Sequence, residues 1–363
     1  MRYTILSVAY PLTQVGPDAA GGSEQILTQL DAALTKRGHR SLVLAAEGSH
    51  VSGELIASPK AGKRLDDAAR DWGQRVHKEL IRSILGKISV DLIHMHSLDF
   101  HRYLPVSNVP MLATLHLPPD WYPAEIFALK NCNLNLNCVS STQRRACPPS
   151  VPSISVIPNG VDVNRFHPTH KKLGYAMALG RICPEKGFHL ALKAARLARS
   201  EFLLAGEIFP YSSHREYFDR RIAPRLDRKR RFIGPVGFQK KIQLLAEAKC
   251  LLVPSTVAET SCLVAMEALA SGTPVIAFPS GALPEIIDHG RTGYLVSNVK
   301  EMADALSEVG SLSSAECRRE ALARFSSETM VTRYFDHYAK LIESGRPAET
   351  RVQDPRRLSW LVG

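Results

Sequence analysis

The stretch that decides the fold reads "CLLVPSTVAETSCLVAMEALASGTPVIAFPS" and runs from residue 250 to residue 280. It begins and ends with apolar runs of strand length, and a helical pattern near 262–271, uncharged apart from Glu267, lies between them. A strand, a helix and a second strand in this order predict two parallel strands joined by a crossover helix. The only charged residues in the stretch are Glu259 and Glu267, eight positions apart.

The same alternation of apolar runs and helical patterns extends along the rest of the chain. In the first half, strands are predicted at 3–10, 41–47, 90–97, 109–116, 133–140 and 153–159, with helices at 24–37 and 65–88. In the second half, strands are predicted at 175–182, 201–208, 230–237, 250–255, 274–280 and 293–296. Helices there are predicted near 187–198, 214–225, 239–248, 262–271, 299–308 and 327–344. Strands alternating with helices predict parallel sheets covered on both faces.

The length of 363 residues suits two such domains. We place them at 1–163 and 164–345, because the turn-rich segment "IPNGVDVNRFHP", residues 157–168, separates the two strand series. The fold class is therefore α/β, with two Rossmann-like, doubly wound parallel-sheet domains facing across a cleft. Ligands of such sheets bind beyond the carboxyl ends of the strands. Residues 346–363 are polar and proline-containing, so we expect a flexible tail.

The composition excludes several classes of protein. No uncharged apolar run approaches the roughly 18 residues of a membrane span, and the apolar segment 3–12 lacks the basic lead of a signal peptide. We therefore expect a cytoplasmic protein. The net charge is +11, and its densest basic run spans 220–232. A solvated helix face explains this run, and peripheral contact with an anionic membrane is an alternative. Nucleic acid is not expected as a partner, because no nucleic-acid motif accompanies the run.

Metal sites have only weak candidates in the sequence. The seven cysteines form no C-x-x-C pair, and Cys132 and Cys138 lack partners at zinc spacing. His94 and His96 share one face of a predicted strand, and His101 follows. No clustered carboxylate or cysteine completes a ligand set around these histidines. We therefore expect neither a bound metal nor another cofactor.

Residues suited to binding an anion follow three of the predicted strands. Gly22 and Ser23 lie in a glycine-rich turn that opens a helix, where backbone N–H groups are free to bind an anion. Arg181 and Lys186 lie on a loop between a strand and a helix, and together they could clamp a diphosphate. Each of these features also has an ordinary structural explanation, as a turn or as solvated loop charges.

The two glutamates lie around the start of the helix near 262–271. We expect this helix to begin around residues 260–262, with Glu259 on the incoming loop and Glu267 about two turns inside. Eight residues leave about 80° of angular offset, so the pair does not form an acid/base dyad on one face. Free N–H groups at this helix start would face a phosphate, and they belong to Ser261, Cys262 and Leu263. A nucleotide sugar would fit this arrangement. Cys262 as a nucleophile is a weaker alternative, because no histidine lies near it in sequence.

In these residues and in the order of its motifs, the chain resembles a family-4 retaining glycosyltransferase of the GT-B fold. The resemblance covers residues 1 to about 340, and its motifs occur in the family's order. They are "GGSEQ", "DLIHMHS", "LATLH", "VIPNGVDVNRFHP", "LGRICPEKG", "FIGPVG" and the segment from "VPSTVAETSC" to "GYLV". One departure is Thr260-Ser261-Cys262, where the family often has Gly-Phe-Gly or Pro-Phe-Gly.

The resemblance implies roles for individual residues. Arg181 and Lys186 would bind the donor diphosphate and neutralise the departing nucleotide, and Glu259 would contact hydroxyls of the transferred sugar. His116 would lie near the donor sugar and the anomeric carbon on the other side of the cleft. The implied catalytic residues are His116, Arg181, Lys186 and Glu259. The implied donor-binding residues are Gly22 against the phosphates, Ser261, Cys262, Leu263, and Glu267 on the ribose.

The expected reaction is metal-independent sugar transfer from a nucleotide-diphosphate sugar, with UDP favoured over GDP or ADP. The acceptor would be a glycan, a lipid-linked molecule or a small molecule. Aromatic residues after His116 could stack on it or pack in the core, and they are Trp121, Tyr122 and Phe127. Two alternatives remain open: an epimerase or sugar phosphorylase of the same fold, or an inactive nucleotide-sugar-binding protein.

Overall fold

The computed structural model describes residues 2–19, 21–59, 66–128, 133–149, 151, 154–169 and 171–345. The first sheet and its helices are β1 (Thr4–Val8), α1 (Gly22–Lys36), β2 (Arg40–Ala46), β3 (Glu54–Ser58), α2 (Asp67–Lys87), β4 (Leu92–Met95), β5 (Met111–Leu115), β6 (Leu134–Cys138), α3 (Ser141–Ala146) and β7 (Ile154–Val156). The strands are parallel and lie in the order β3-β2-β1-β4-β5-β6-β7. The order reverses direction between β1 and β4, which creates a crevice at their carboxyl ends.

The second sheet follows the same plan. Its elements are β8 (Ala176–Leu179), α4 (Phe188–Leu197), β9 (Phe202–Ala205), α5 (Ser212–Tyr217), β10 (Arg230–Phe232), α6 (Phe238–Glu247), β11 (Cys250–Val253), α7 (Leu263–Ala270), β12 (Val275–Ala277), α8 (Leu283–Ile286), β13 (Gly293–Leu295), α9 (Val299–Glu308), α10 (Ser314–Arg324) and α11 (Ser327–Gly345). The strands are again parallel, in the order β10-β9-β8-β11-β12-β13. The predicted α/β class with two doubly wound parallel sheets is confirmed.

Nearly continuous apolar strands explain why both sheets are buried. β1, β4, β5, β8, β9 and β11 are almost entirely inaccessible to solvent, because helices cover both faces of each sheet. The helices contribute one apolar stripe each. In α1, for example, Ile26, Leu27, Leu30 and Leu34 are fully buried.

The chain crosses between the two sheets twice. The first crossing is the segment 157–168, and the second is the junction between α10 and α11. The two crossings are hydrogen-bonded to each other, because the amide of Val161 donates to Phe325 and the amide of Ser327 donates to Val161. After the second crossing, α11 packs on the first sheet, where Tyr334 and Tyr338 are buried.

None of the helices in the described part of the chain combines the length and the apolar character needed to cross a bilayer.

Candidate active site

The residue directly before helix α7, Cys262, has a backbone conformation that is unusual for a residue with a β-carbon. Cys262 has φ = 56° and ψ = 67°, in the left-handed region that glycine adopts most easily. Because of this turn, α7 starts at Leu263 rather than at 260–262, and Glu267 lies about one turn inside the helix instead of two. In the described residues, the backbone amides of Ser261, Cys262 and Leu263 have no hydrogen-bond acceptor. The start of α7 therefore offers a row of free N–H donors.

An ion pair lies directly before this helix start. Lys186 Nζ and Glu259 Oε1 are 2.6 Å apart, and the side chains are only 28% and 10% exposed. Ser255 also donates a hydrogen bond to Oε1 of Glu259. Burial alone would raise the pKa of Glu259, but the neighbouring Lys186 outweighs it, and the pKa is lowered. For Lys186, burial would lower the pKa, but Glu259 outweighs it and the pKa is raised. Both groups are therefore charged at neutral pH.

A tight turn holds Lys186 in this position. Gly187 follows it with φ = 62°, and a β-carbon at Gly187 would lie 2.2 Å from the carbonyl oxygen of Pro254. Only glycine fits this close approach between the loop after β8 and the loop after β11. The amide of Thr256 then donates to the carbonyl of Glu185, which ties the same two loops together.

Arg181 belongs to the same group of charges. It follows the end of β8, and its guanidinium lies 5.7 Å from the ring centre of Phe209. Its charge contributes to lowering the pKa of Glu259. Two cations, one carboxylate and the free amides of α7 thus lie at the carboxyl ends of β8 and β11. This is the geometry of an anion-binding site with one acidic group beside it.

The second glutamate is paired with a residue that the sequence did not point to. Glu267 is buried, and its Oε1 lies 2.5 Å from Nζ of Lys241 on α6. The lysine ammonium also lies 5.0 Å from the ring centre of Phe238 and 5.8 Å from that of Phe166. Burial raises the pKa of Glu267 despite the nearby Lys241. Two consecutive lysines, Lys240 and Lys241, occur in "GFQKK", and no sequence signal distinguishes the one that turns inward.

On the first sheet, three histidines lie against one another at the ends of β4 and β5; His94 and His96 are buried, and His116 is half-buried. Nδ1 of His96 lies 3.1 Å from Nε2 of His116, and the ring centres of His94 and His96 are 3.8 Å apart. Burial lowers the pKa of His116 to about 3, so this imidazole is neutral at physiological pH. Both ring nitrogens of His94 have protein partners, the hydroxyls of Tyr338 and Thr114. His94 is therefore a structural hydrogen-bonding residue rather than a free ligand.

The two halves of the site meet across the cleft. The hydroxyl of Thr260 donates to the carbonyl of His116 at 2.8 Å, so the loop after β11 touches the loop after β5. A β-carbon at Gly22 would lie 3.5 Å from Leu263, so the start of α1 faces the start of α7. The predicted residues of both domains therefore lie around one cleft. The structure places them together, and their roles in binding and catalysis stay predictions.

Several other candidates lie away from this cleft or in the core. Tyr122 is buried, and its hydroxyl accepts a hydrogen bond from the amide of Leu117, whereas Trp121 is 41% exposed. Cys132 lies outside the described residues. Cys138 faces Cys147 instead, with 3.6 Å between the sulfurs. The predicted tail, 346–363, also lies outside the described residues.

Sequence reasoning missed the carboxylates that connect the two domains. Asp18 accepts from the amide of Phe238, the first residue of α6, at 3.1 Å. Glu285 accepts from the amides of Ser141 and Thr142, the first two residues of α3. Each carboxylate bonds to a helix start in the other domain. The sequence holds no local signal for these contacts, because the partners are more than 140 residues apart.

Comparisons with known proteins agree with this description. The model of the Glycosyltransferase Family 4 domain matches residues 20–165, and that of Glycosyl transferases group 1 matches residues 174–311. A glycogen synthase from Mycobacterium tuberculosis is 27% identical, over 97% of this chain and 98% of the relative. A phosphatidyl-myo-inositol mannosyltransferase from the same species is 26% identical, over 77% of this chain and 79% of the relative.

Solved structures with the same fold include two from cyanobacteria. Sucrose-phosphate synthase from Thermosynechococcus elongatus superposes with a TM-score of 0.77 at 19% identity, covering 94% of this chain and 100% of the other. Anabaena Alr3699/HepE in complex with UDP-glucose gives a TM-score of 0.72 at 18% identity, covering 93% of this chain and 100% of the other.

Two doubly wound parallel sheets that face each other give the chain the GT-B architecture. The chain belongs to the retaining family-4, group 1 glycosyltransferases, and it transfers a sugar from a nucleotide sugar. The resemblance seen in the sequence is thereby confirmed.

Proposed function

We propose that this enzyme moves a sugar from a UDP-sugar to an acceptor hydroxyl, with retention of the anomeric configuration and without a metal ion. The observation that supports this proposal most strongly is the partly buried ion pair of Lys186 and Glu259, directly before the start of α7. A lysine for the phosphates and a carboxylate for the sugar hydroxyls stand side by side there. A donor with a sugar–diphosphate linkage presents both chemical groups next to each other.

In the proposed reaction, the bond between the anomeric carbon and the diphosphate oxygen breaks, and the nucleotide leaves with an additional negative charge. Arg181, Lys186 and the free amides of α7 stabilise that charge, because they are already oriented towards it before the reaction. The acceptor hydroxyl attacks the same face of the sugar, and its proton passes to the departing diphosphate oxygen. Glu259 binds sugar hydroxyls, and the neutral His116 lies across the cleft near the reacting carbon. Glu267 binds the ribose of the nucleotide.

The preference for UDP is supported by the structural likeness to a protein solved with UDP-glucose. One relative from Corynebacterium glutamicum is instead named as GDP-mannose-dependent, so GDP is the principal competitor. Relatives named as phosphatidyl-myo-inositol mannosyltransferases support a lipid-linked acceptor, and a relative named as glycogen synthase supports a glycan. We place the reaction in the cytoplasm, with the basic segment 220–232 available for contact with an anionic membrane.

A donor screen tests this function. The purified protein is incubated with UDP-, GDP- and ADP-sugars, with and without EDTA, and nucleotide release is measured with each candidate acceptor. We expect release from a UDP-sugar that persists in EDTA. If EDTA abolishes release and magnesium or manganese restores it, the metal-independent mechanism is wrong. Conversion of the donor sugar without any acceptor would instead identify an epimerase.

Substitution of Lys186 tests the diphosphate clamp. We expect Lys186→Ala to reduce turnover by roughly 100-fold or more, because a preorganised cation near the leaving group is lost. The matched control is Lys193→Ala, which removes an exposed lysine from the helix that follows. Circular dichroism and thermal unfolding check that both variants are folded. Near-normal turnover of folded Lys186→Ala would contradict the assignment.

A further inference from the structure

Three side chains with metal-binding atoms lie close together beside the proposed diphosphate clamp. They are Cys183, Glu185 and His214, and one ligand atom from each lies within 4.8 Å of the others. Cys183 and Glu185 come from the loop after β8, and His214 comes from α5. No other group of three or more His, Cys, Asp or Glu side chains at metal spacing occurs within the described ranges.

The surroundings of this cluster leave its donor atoms available. Nδ1 of His214 is buried and has no hydrogen-bond partner in the part of the chain that the structure describes. His214 and Cys183 are only 8% and 3% exposed. The Glu185 carboxylate takes part in no ion pair among the described residues. A buried ring nitrogen without a hydrogen-bond partner destabilises the folded state, and a bound metal ion would satisfy it.

The positions of the three groups are fixed by the backbone around them. The carbonyl of Glu185 accepts hydrogen bonds from both the amide and the hydroxyl of Thr256. The ring of His214 packs edge-on against Tyr211 at 5.1 Å between centres. In a tetrahedral site neighbouring ligand atoms lie about 3.3–3.7 Å apart, so the three donor atoms must approach one another by about 1 Å when a metal binds.

A thiol, an imidazole and a carboxylate together form a ligand set that is typical of a borderline-soft divalent metal ion. Zinc binds all three groups, at about 2.3 Å to sulfur and about 2.0–2.2 Å to nitrogen and oxygen. Burial raises the pKa of the Cys183 thiol to about 11, so the thiol holds its proton at neutral pH. Burial also lowers the pKa of His214, which keeps the imidazole neutral and able to coordinate. Zinc must therefore displace one proton, from sulfur to solvent.

We propose that Cys183, Glu185 and His214 form a zinc site with three protein ligands and a fourth position for water or another oxygen ligand. The site is separate from the residues assigned to sugar transfer, and the reaction proposed above does not require it. Its loop continues directly into Lys186, so bound zinc adds positive charge next to the clamp. This places a metal-binding site on the donor side of the cleft.

Metal titration tests the site without relying on activity. The metal-free, reduced full-length protein is titrated with zinc by calorimetry in two buffers that differ in ionisation enthalpy. We expect one zinc per chain with release of about one proton. Titration with cobalt should produce a thiolate-to-cobalt charge-transfer band. In Cys183→Ser this band should disappear, and zinc affinity should fall by roughly 100-fold or more.

Matched variants separate this site from other candidates in the chain. His214→Gln should weaken zinc binding, whereas His189→Gln, on the neighbouring helix α4, should not. Cys147→Ser removes one member of the buried Cys138–Cys147 pair and should leave the cobalt band intact. The proposal is overturned if the band survives in folded Cys183→Ser, if it is lost in Cys147→Ser instead, or if the wild-type protein binds no zinc.

Discussion

At the scale of single residues, Cys262 combines a strained backbone with a position in the candidate site. Its left-handed conformation directs the chain from Glu259 into α7 and leaves the neighbouring amides free. A left-handed conformation costs a residue with a β-carbon about 1–2 kcal/mol relative to glycine. Strain of this kind persists where the surrounding structure enforces it, which is common at binding sites.

A comparison of two substitutions at Cys262 isolates this strain. Cys262→Ala and Cys262→Gly both remove the buried thiol, but only glycine relieves the backbone. We therefore expect the glycine variant to be more stable than the alanine variant by about 1 kcal/mol in urea unfolding, the reverse of their order inside a helix. The control is Ala265→Gly, inside α7, which should be less stable than the wild-type protein. Equal stabilities at residue 262 would show that the strain is absent.

The buried pair of Lys241 and Glu267 gives a prediction that depends on pH. Lys241→Met leaves the Glu267 carboxylate buried without its cation, which costs about 3–5 kcal/mol at neutral pH. Burial already raises the pKa of Glu267 above its usual 4.5, and loss of the lysine raises it further. In the folded variant the Glu267 carboxyl group then keeps its proton, whereas in the unfolded chain it loses this proton above about pH 4.5. Its stability therefore falls as the pH rises, so the deficit relative to wild type should shrink between pH 7.5 and pH 5.

The double variant Lys241→Met/Glu267→Gln provides the control for this prediction. It has no buried carboxylate to titrate, so its stability relative to wild type should change less between pH 7.5 and pH 5. Urea unfolding at both pH values measures the effect. A deficit of Lys241→Met that is independent of pH would contradict the charge argument.

At the scale of helices and strands, the sequence predicted the buried elements well and the exposed ones poorly. The bounds of α9 were predicted as observed, because its apolar stripe is well defined. β3 was not predicted, since four of the five residues of this edge strand are exposed or half-exposed. α10 was also missed, because only Cys317 and Ala321 of its eleven residues are buried. The predicted helix at 214–225 is instead a succession of short helical turns, and Pro224 near its end cannot donate a helical hydrogen bond.

Some residues of the candidate site could be predicted from the sequence, and others could not. Arg181, Lys186 and Glu259 could be selected from the sequence because each lies on a loop directly after a predicted strand. Lys241 and Asp18 could not be selected, since each forms its ion pair or hydrogen bond with a residue on a separate element. Pairs of this kind depend on how helices and domains pack, and a local pattern of residues does not predict that packing.

The docking of α11 on the first sheet gives a prediction at this scale. The hydroxyl of Tyr338 lies 2.7 Å from Nδ1 of His94, and both side chains are buried. Tyr338→Phe keeps the packing but leaves the imidazole nitrogen unpaired, so we expect a loss of about 1–3 kcal/mol in urea unfolding. Tyr3→Phe is the control, because the Tyr3 hydroxyl has no hydrogen-bond partner in the described structure. Equal effects of the two changes would contradict this role for His94.

At the scale of the whole molecule, two carboxylates connect the domains in opposite directions. Asp18 of the first domain bonds to the start of α6 in the second, and Glu285 of the second bonds to the start of α3 in the first. Negative groups are favourable at helix starts, where backbone N–H groups are unpaired. Opening of the cleft would break both contacts. We therefore infer that they favour the arrangement in which the two domains touch.

Neutralising Glu285 should shift the enzyme towards an open arrangement. The carboxylate accepts from the amides of Ser141 and Thr142 and lies 3.8 Å from Arg145, so Glu285→Gln loses charge-assisted contacts. We expect a larger radius of gyration in small-angle scattering without ligand, which returns to the wild-type value with saturating nucleotide. The KM for the donor should rise roughly 5- to 10-fold, because only the closed fraction binds productively, while kcat changes less. Asp304→Asn, an exposed change on α9, should alter neither quantity. If Glu285→Gln matches the control in both scattering and KM, the interdomain contact has no part in closure.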